Sequence, residues 1–232
     1  MKDRPIWLLA VAETLVWAGM FYSFPALLAR WELDLGWSKT EITGAFTAAL
    51  IVSALAAPMA GRLIDQGYGR AVLVGSAGLG GVTVALLSMV DQVWQFYLAW
   101  LVLGLAMAGC LYEPCFAYVT RIRGETAKRA ITLITLLAGL AGTVSFPTAN
   151  IVAEWAGWRA SVLTFSGLIL FVAVPFFWIA TSEGGVDPSV DRKAAKAASK
   201  AGLRGAMAKP AFWFLFLAFT TIAIAQGLII TH

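Results

Sequence analysis

Two acidic side chains, Glu13 and Glu113, lie inside long apolar stretches that hold no other charged residue. A carboxylate placed in hydrocarbon costs about 3 kcal/mol on insertion scales. Such a group is usually kept because it faces a polar cavity, where it can bind a proton or contact a polar solute. These two acids are therefore the first candidates for chemistry.

The composition indicates that membrane-spanning helices carry these acids. The chain of 232 residues is 60% hydrophobic and only 13% charged, whereas a soluble domain is about 25% charged. Several stretches between charged residues reach or approach the roughly 20 apolar residues that a helix needs to cross a bilayer. They are 5–29, 43–61, 71–90, 92–120, 130–153, 160–182 and 210–231. The sequence predicts an all-α, polytopic membrane protein.

The basic residues predict the orientation. With the N-terminus in the cytoplasm, all of the 17 Lys and Arg residues fall on the cytoplasmic side except Arg30, Lys39 and Arg159. We therefore expect a multi-pass protein of the cell (inner) membrane with a cytoplasmic N-terminus. The first stretch contains Glu13 and is followed by no small-residue cleavage pattern, so we do not expect a signal peptide. The net charge of +4 is dispersed among loops, which favours the lipid bilayer over nucleic acid as a partner.

A sparse internal repeat relates the first three stretches to the next three. Several residues 89 positions apart match in type. The alternative explanation is chance matching in a low-complexity apolar sequence. The pairs are Pro25 and Pro114, Pro58 and Pro147, Arg70 and Arg159, Ile42-Thr43 and Ile131-Thr132, with Glu154 in the place of Asp65. Because three is an odd number of crossings, the second copy must be inverted in the membrane relative to the first.

The repeat predicts three parts of the chain. Residues 1–181 form a six-helix bundle made of two inverted three-helix repeats. Residues 182–209, rich in Ala and Lys, form a cytoplasmic linker. Residues 210–232 form a seventh helix, the first of a truncated C-terminal bundle. The expected partner is that missing bundle, or a second copy of this chain acting as the other half.

The loop between the second and third stretches carries a recognisable motif. It reads Gly61-Arg-Leu-Ile-Asp65-Gln-Gly67-Tyr-Gly69-Arg70, in which the glycines permit a tight turn. This loop resembles the signature loop of the major facilitator superfamily. Gly69 lies one residue beyond the commonest place of the later glycine, and only Arg70 follows it as a basic residue.

Other short segments are similar to bacterial members of that superfamily. They are Gly36-Trp37-Ser38, Leu111-Tyr112-Glu113-Pro114 and Gly157-Trp158-Arg159. The first is similar to the monocarboxylate and oxalate/formate branch, although short motifs do not fix a substrate.

The resemblance implies two six-helix bundles that rock about a substrate site near the midplane. The chain would then be a secondary active transporter for a small organic solute, with a monocarboxylate as one expected class. Transport would use alternating access, with proton coupling (as symporter or antiporter) or exchange. In the family the acidic loop residue helps to lock the cytoplasmic side, so the gating candidates are Gly61, Asp65, Gly69 and Arg70.

The first and fourth helices line the central cavity in that family, which points to Glu13, Glu113 and Tyr112 as substrate or proton-site residues. Asn150, deep in the fifth stretch, is a further candidate. A protonated, neutral Glu can pass through an occluded state more cheaply than a carboxylate.

Each of these candidates also has a structural alternative. Glu13 could bond a neighbouring hydroxyl, and Glu113 could pair with Arg121 or Arg123. Asn150 could make a hydrogen bond between helices.

Other classes of protein fit the sequence less well. No nucleophile elbow, phosphate-binding loop or paired His spacing is present, so we expect no enzyme, no cofactor and no metal. Cys110 and Cys115 are expected to share one helix, five positions apart, which disfavours a disulfide. A self-contained seven-helix receptor stays open, but a retinal protein would need a Lys that residues 210–231 lack.

Overall fold

The computed structural model describes residues 3–183 and, beyond them, Lys209, Pro210, Trp213, Phe214, Leu217 and Thr221. In this described part the chain is helical and holds no strand, which confirms the all-α prediction. The chain divides into two units, Met1–Val186 and Asp187–His232. Almost all of the predicted linker 182–209 and most of the predicted seventh helix lie outside the described residues.

Three helical stretches are long and apolar enough to cross a membrane: Arg4–Leu35, Lys39–Leu87 and Val93–Ser182. The first comprises α1 (Arg4–Val16), a π-helical turn (Trp17–Tyr22) and α2 (Ser23–Leu35). The second comprises α3 (Lys39–Leu63), a wide turn (Ile64–Tyr68) and α4 (Gly69–Leu87). The third comprises α5 (Val93–Cys110), α6 (Tyr112–Arg123), a 3₁₀ turn (Gly124–Thr126), α7 (Ala127–Ala138), α8 (Ala141–Leu168), a π turn (Ile169–Ala173) and α9 (Val174–Glu183).

Non-helical residues interrupt the two longer stretches, which have 49 and 90 residues against the roughly 20 of one crossing. Gly67 has φ 93° and Gly157 has φ 80°, values that only glycine adopts without strain. Leu111, between α5 and α6, has extended backbone. These breaks lie where the sequence analysis placed turns or a proline, and the count of six crossings stays a prediction.

The helices pack mainly through small residues and aromatic rings. α5 lies against both α3 and α4, whereas α1 lies against α7 and α9. A Cβ at Gly104 of α5 would lie 2.2 Å from the Ala49 carbonyl oxygen of α3. Such close approach of backbones is typical of helix contacts in membranes, where small residues replace the hydrophobic driving force.

The first unit has two well-separated ends. At one end Arg121 donates hydrogen bonds to the carbonyl oxygens of Ile64 and Asp65. At the other end Arg30 pairs with Glu154 at 3.9 Å. The stretch Arg4–Leu35 has 32 residues and, at 1.5 Å per residue, a length of about 48 Å. We call these regions the Asp65 end and the Glu154 end.

Candidate functional site

Glu13 lies in α1 with its side chain fully buried. Neither carboxylate oxygen has a hydrogen-bond partner among the described residues. The Cys115 thiol and the Trp17 indole are polar neighbours of the carboxylate, and the Trp17 Nε1 also lacks a partner. Burial of a polar group without a regular hydrogen bond is costly, and the Cys115 thiol and the Trp17 indole are the neighbours placed to lower that cost.

Glu113 lies in the first turn of α6, directly after the break at Leu111. Its side chain is exposed, and its charge is close enough to repel that of Glu13. Glu13 is nine residues from Arg4 and Glu113 is ten residues from Arg123, so both lie about 14–15 Å along their helices. The structure therefore brings the two predicted acids together at similar depth, one buried and one exposed.

Half-buried aromatic rings surround the acids. The rings of Trp17 and Tyr112 are 4.6 Å apart, and Tyr112 stacks on Phe116 at 5.1 Å. Tyr22 lies 6.2 Å from Trp17. An added Cβ at Gly142 of α8 would lie 3.6 Å from the Tyr22 ring. We call Glu13, Trp17, Tyr22, Glu113, Tyr112 and Phe116 the acid–aromatic site.

Irregular backbone borders the site in both helices. The π turn Trp17–Tyr22 follows Glu13 and is followed by Pro25, whereas Leu111 precedes Glu113 and Pro114. Proline lacks an N–H, and its ring clashes with the carbonyl four residues before it, which widens or breaks the preceding turn. Single π turns inside α-helices are frequent at functional sites. The two prolines of the predicted repeat thus each follow irregular backbone, with Pro114 next to Glu113 and Pro25 about 18 Å along the helix from Glu13.

Asn150 does not join this site through any described contact. Its side chain is exposed on α8, whereas Ser145, Ala149 and Ala153 form the buried face of the same helix. Ser145 Oγ donates to the Ala18 carbonyl at 2.8 Å, which fixes that face against the first stretch. Asn150 points away from that face, so the structure brings Glu13, Glu113 and Tyr112 together and leaves Asn150 apart.

The predicted gating residues divide into different structural roles. Asp65 is exposed, and its backbone, rather than its carboxylate, receives Arg121. Gly67, not Gly69, makes the turn at positive φ. Gly69 instead packs closely, since an added Cβ would lie 2.6 Å from Tyr118 Cδ2. Gly61 has open space around it.

Arg70 lies over an aromatic ring. Its guanidinium carbon is 3.6 Å from the centroid of Trp178 in α9, which is a cation–π contact. Arg70 therefore joins the start of α4 to the end of the last described helix of this unit.

Trp17, Tyr22 and Phe116 belong to the acid–aromatic site but were not among the residues selected from the sequence. Trp17 lies four positions after Glu13, a spacing that puts both on one helix face, so the signal was present. Phe116 has the same relation to Tyr112. Nothing in the sequence indicated that Trp178 would lie under Arg70, because that contact joins residues more than one hundred positions apart.

A family comparison adds to this geometry. The sequence pattern of the Major Facilitator Superfamily matches residues 9–232, nearly the whole chain. The chain belongs to the Major Facilitator Superfamily. Members of this superfamily carry small-molecule solutes across membranes. A search of curated proteins found no match.

Membership of the Major Facilitator Superfamily agrees with the helical fold and the long apolar stretches. It identifies this chain as a multi-pass membrane protein of a transporter family. The family as a whole does not specify the solute, the coupling ion or the residues that bind them.

Proposed function

We propose that this protein is a secondary active transporter that moves a small organic solute by alternating access and couples it to proton movement. One observation carries the proposal. Glu13 is fully buried, makes no regular hydrogen bond within the described residues, and lies beside the exposed Glu113. Two acids close together inside a membrane, with no ion pair among the described residues, destabilise the fold, and proton binding would account for their retention.

The proposed architecture is a six-helix bundle over 1–181, made of two inverted three-helix repeats, followed by a linker over 182–209. Residues 210–232 would begin a second bundle, supplied by further chain or by a second copy. Two observations support the inverted repeat. Pro25 and Pro114 both follow irregular backbone, and positive-φ glycines occur at Gly67 and Gly157, close to corresponding positions.

The proposed orientation places the Asp65 end in the cytoplasm of the cell (inner) membrane, together with the N-terminus. The basic residues Arg62, Arg70, Arg121 and Arg123 lie at or near that end, whereas Arg30 and Arg159 lie at the Glu154 end. This distribution matches the excess of positive charge that cytoplasmic loops carry. The exposed Asp65 carboxylate would be available to lock the second bundle at this end.

In the proposed proton step, a proton taken up by either acid removes the repulsion between Glu13 and Glu113. When the proton binds to Glu13, it also converts the buried carboxylate, which is costly, into a neutral group that can pass through an occluded state. The half-buried rings of Trp17, Tyr22 and Tyr112 would form an apolar and hydroxyl-bearing surface against the solute. Asn150 lies on the exposed face of α8, and from there it would contact the solute or the second bundle.

A monocarboxylate is the proposed solute class on resemblance alone. In the structure the Gly36-Trp37-Ser38 segment has local roles, since Gly36 ends α2 at φ 67° and Ser38 caps α3 through Glu41. Trp37 packs on Phe96 at 5.5 Å. An anionic solute near unprotonated acids would be repelled, so its transport would have to accompany proton uptake.

Uptake by the full-length protein in proteoliposomes with an imposed pH gradient tests the proposal. A panel of small monocarboxylates and neutral organic solutes would first identify a transported solute. We expect Glu13→Gln and Glu113→Gln each to lower gradient-driven uptake by about tenfold or more, equivalent to about 1.4 kcal/mol of barrier. Glu32→Gln, an exposed acid of α2, is the matched control and should leave uptake unchanged. Wild-type pH dependence in both site variants would remove the acids from the mechanism.

A further inference from the structure

An apolar groove opens on the first unit beside the Asp65 end. Its volume is about 480 Å³, within the roughly 300–1,000 Å³ range of ligand pockets. Residues from α3 and from α4 form its two walls, and Leu105, Ala108 and Gly109 of α5 form its floor. α3 and α4 both lie against α5 but touch each other little, which leaves the space between them open.

The lining of the groove is hydrocarbon along almost its whole length. Large apolar side chains project at its edges, with Met59 57% exposed and Leu105 44% exposed. Small residues, including Ala60 and Gly75, keep its interior wide. In a membrane-spanning unit such a surface meets lipid chains rather than water.

The length of the groove matches one leaflet of a bilayer. It extends from Tyr68, in the turn before α4, to Leu79 of α4. These twelve residues rise about 16 Å, close to half of the roughly 30 Å hydrocarbon thickness. The groove therefore begins at the membrane surface on the Asp65 end and ends near the midplane.

Charged and aromatic groups at the mouth of the groove favour an anionic headgroup. Arg62 is exposed on the last turn of α3, next in sequence to the lining residue Leu63, and the exposed Tyr68 of the lining is of the type that anchors at the membrane interface. Asp65 opposes an anion there, but Arg121 lies against the backbone of the same turn. Basic sites between helices on the cytoplasmic side bind anionic lipid headgroups.

We propose that this groove binds one acyl chain of an anionic phospholipid of the cytoplasmic leaflet, with Arg62 at the phosphate. The proposal rests on the proposed orientation and is independent of proton coupling. A bound lipid would hold α3 and α4 at a fixed separation next to the loop that carries Asp65.

Gly75 offers a way to fill the groove without disturbing the fold. An added Cβ at Gly75 meets no atom of the described residues within 4 Å, and the same holds at Gly78 of the same helix. Gly75 lines the groove and Gly78 does not. Gly75→Leu therefore blocks the groove, and Gly78→Leu is its matched control. Ala71→Leu, from another exposed lining position, is a second blocking variant.

The test uses the full-length protein in nanodiscs that contain phosphatidylglycerol with a photoactivatable group in one acyl chain. Cross-linked residues are identified by peptide mass spectrometry, and a phosphatidylcholine probe with the same chain is run in parallel. We expect labelling of Met59, Leu79 or Leu105 in the wild type, reduced about tenfold, or about 1.4 kcal/mol, in Gly75→Leu and Ala71→Leu. Gly78→Leu should label as the wild type does.

Arg62→Gln should lower labelling by the phosphatidylglycerol probe and leave labelling by the phosphatidylcholine probe unchanged. Wild-type labelling in both blocking variants would overturn the proposal. So would equal labelling by the two probes in the wild type, or cross-links that show the groove filled by another part of the protein. Uptake of the solute by Gly75→Leu is measured separately, so failure of the lipid site is distinguishable from failure of the transport proposal.

Discussion

Arg70 and Arg159, which are 89 residues apart, make corresponding contacts at opposite ends of the first unit. Arg70 follows the turn between α3 and α4 and stacks on Trp178, near the end of α9. Arg159 follows the break at Gly157 and donates to the Ser88 carbonyl at 3.1 Å and to Asp91 Oδ1 at 2.5 Å, just beyond the end of α4. Arg70 of the first proposed repeat thus contacts the last helix of the second repeat, and Arg159 of the second repeat contacts the last helix end of the first. An inverted repeat accounts for this reciprocal arrangement.

The two arginine contacts should differ in their response to salt. Arg70 lies over a ring and is half-buried, where a cation–π contact is worth about 0.5–2 kcal/mol. The Arg159–Asp91 pair is largely exposed, and such pairs give about 0.2–1 kcal/mol and are screened. Double-mutant cycles on Arg70→Gln with Trp178→Leu, and on Arg159→Gln with Asp91→Asn, measure both by thermal unfolding in detergent. We expect only the second coupling energy to fall in high salt; an equal fall in both would contradict the cation–π assignment.

Gly69 should tolerate no side chain, in contrast to Gly61. An added Cβ at Gly69 would lie 2.6 Å from the Tyr118 ring, whereas one at Gly61 meets nothing within 4 Å. We expect Gly69→Ala to lower the free energy of unfolding by about 1–3 kcal/mol, the usual cost of overpacking. Gly61→Ala serves as the control and should be neutral or slightly stabilising. Equal stabilities for the two variants would show that Tyr118 moves aside freely.

We expect Glu13 to lower the stability of the fold while it serves proton-coupled uptake. Because its carboxylate is buried and makes no regular hydrogen bond in the described part of the chain, Glu13→Leu should raise the free energy of unfolding by about 1–3 kcal/mol, the cost of an unsatisfied buried polar group. The same variant should lose proton-coupled uptake. Glu32→Leu, at an exposed position of the same stretch, should change neither quantity. A loss of stability in Glu13→Leu would mean that the acid has a structural partner.

The turn at Asp65 and the segment at Glu154 should face opposite sides of the membrane. Arg121 contacts the first and Arg30 the second, at opposite ends of the unit. Asp65→Cys and Glu154→Cys, treated in intact cells with a membrane-impermeant maleimide, test this. We expect Glu154→Cys to react from outside and Asp65→Cys to react only after permeabilisation. The native Cys110 and Cys115 are free and buried, which keeps the background low, and reaction of both variants from one side would disprove the inverted repeat.

The sequence predicted the helical class and the family because both depend on local patterns. Uninterrupted apolar stretches indicate membrane crossing, and the Gly61–Arg70 motif resembles one family loop. The roles of individual loop residues did not follow from the motif. Gly67 rather than Gly69 takes the positive φ, since the position of the turn depends on how α4 packs against Tyr118.

The sequence pointed to some residues of the candidate site, because these too stand out in a local pattern. Glu13 and Glu113 stood out because charge is rare in apolar stretches, and the structure brings them together. Asn150 was selected by polarity alone. Ser145 and Ala149 form the buried face of its helix, so Asn150 lies on a different face and is exposed. Trp17 and Phe116 were not selected, although each lies four positions after a candidate residue, because that spacing alone does not distinguish a site residue from a packing residue.

The sequence by itself determined that this chain resides in a membrane and where its charges lie along it. Hydrocarbon excludes charge whatever the neighbouring helices are, so each apolar stretch reports its environment without knowledge of its partners. Only the tertiary structure decided that Glu13 is buried, that Glu113 is exposed, and that Arg70 meets Trp178. In lipid the inward and outward faces of a helix are equally apolar, so no periodicity marks which face packs, and that choice depends on shape and on contacts between distant residues.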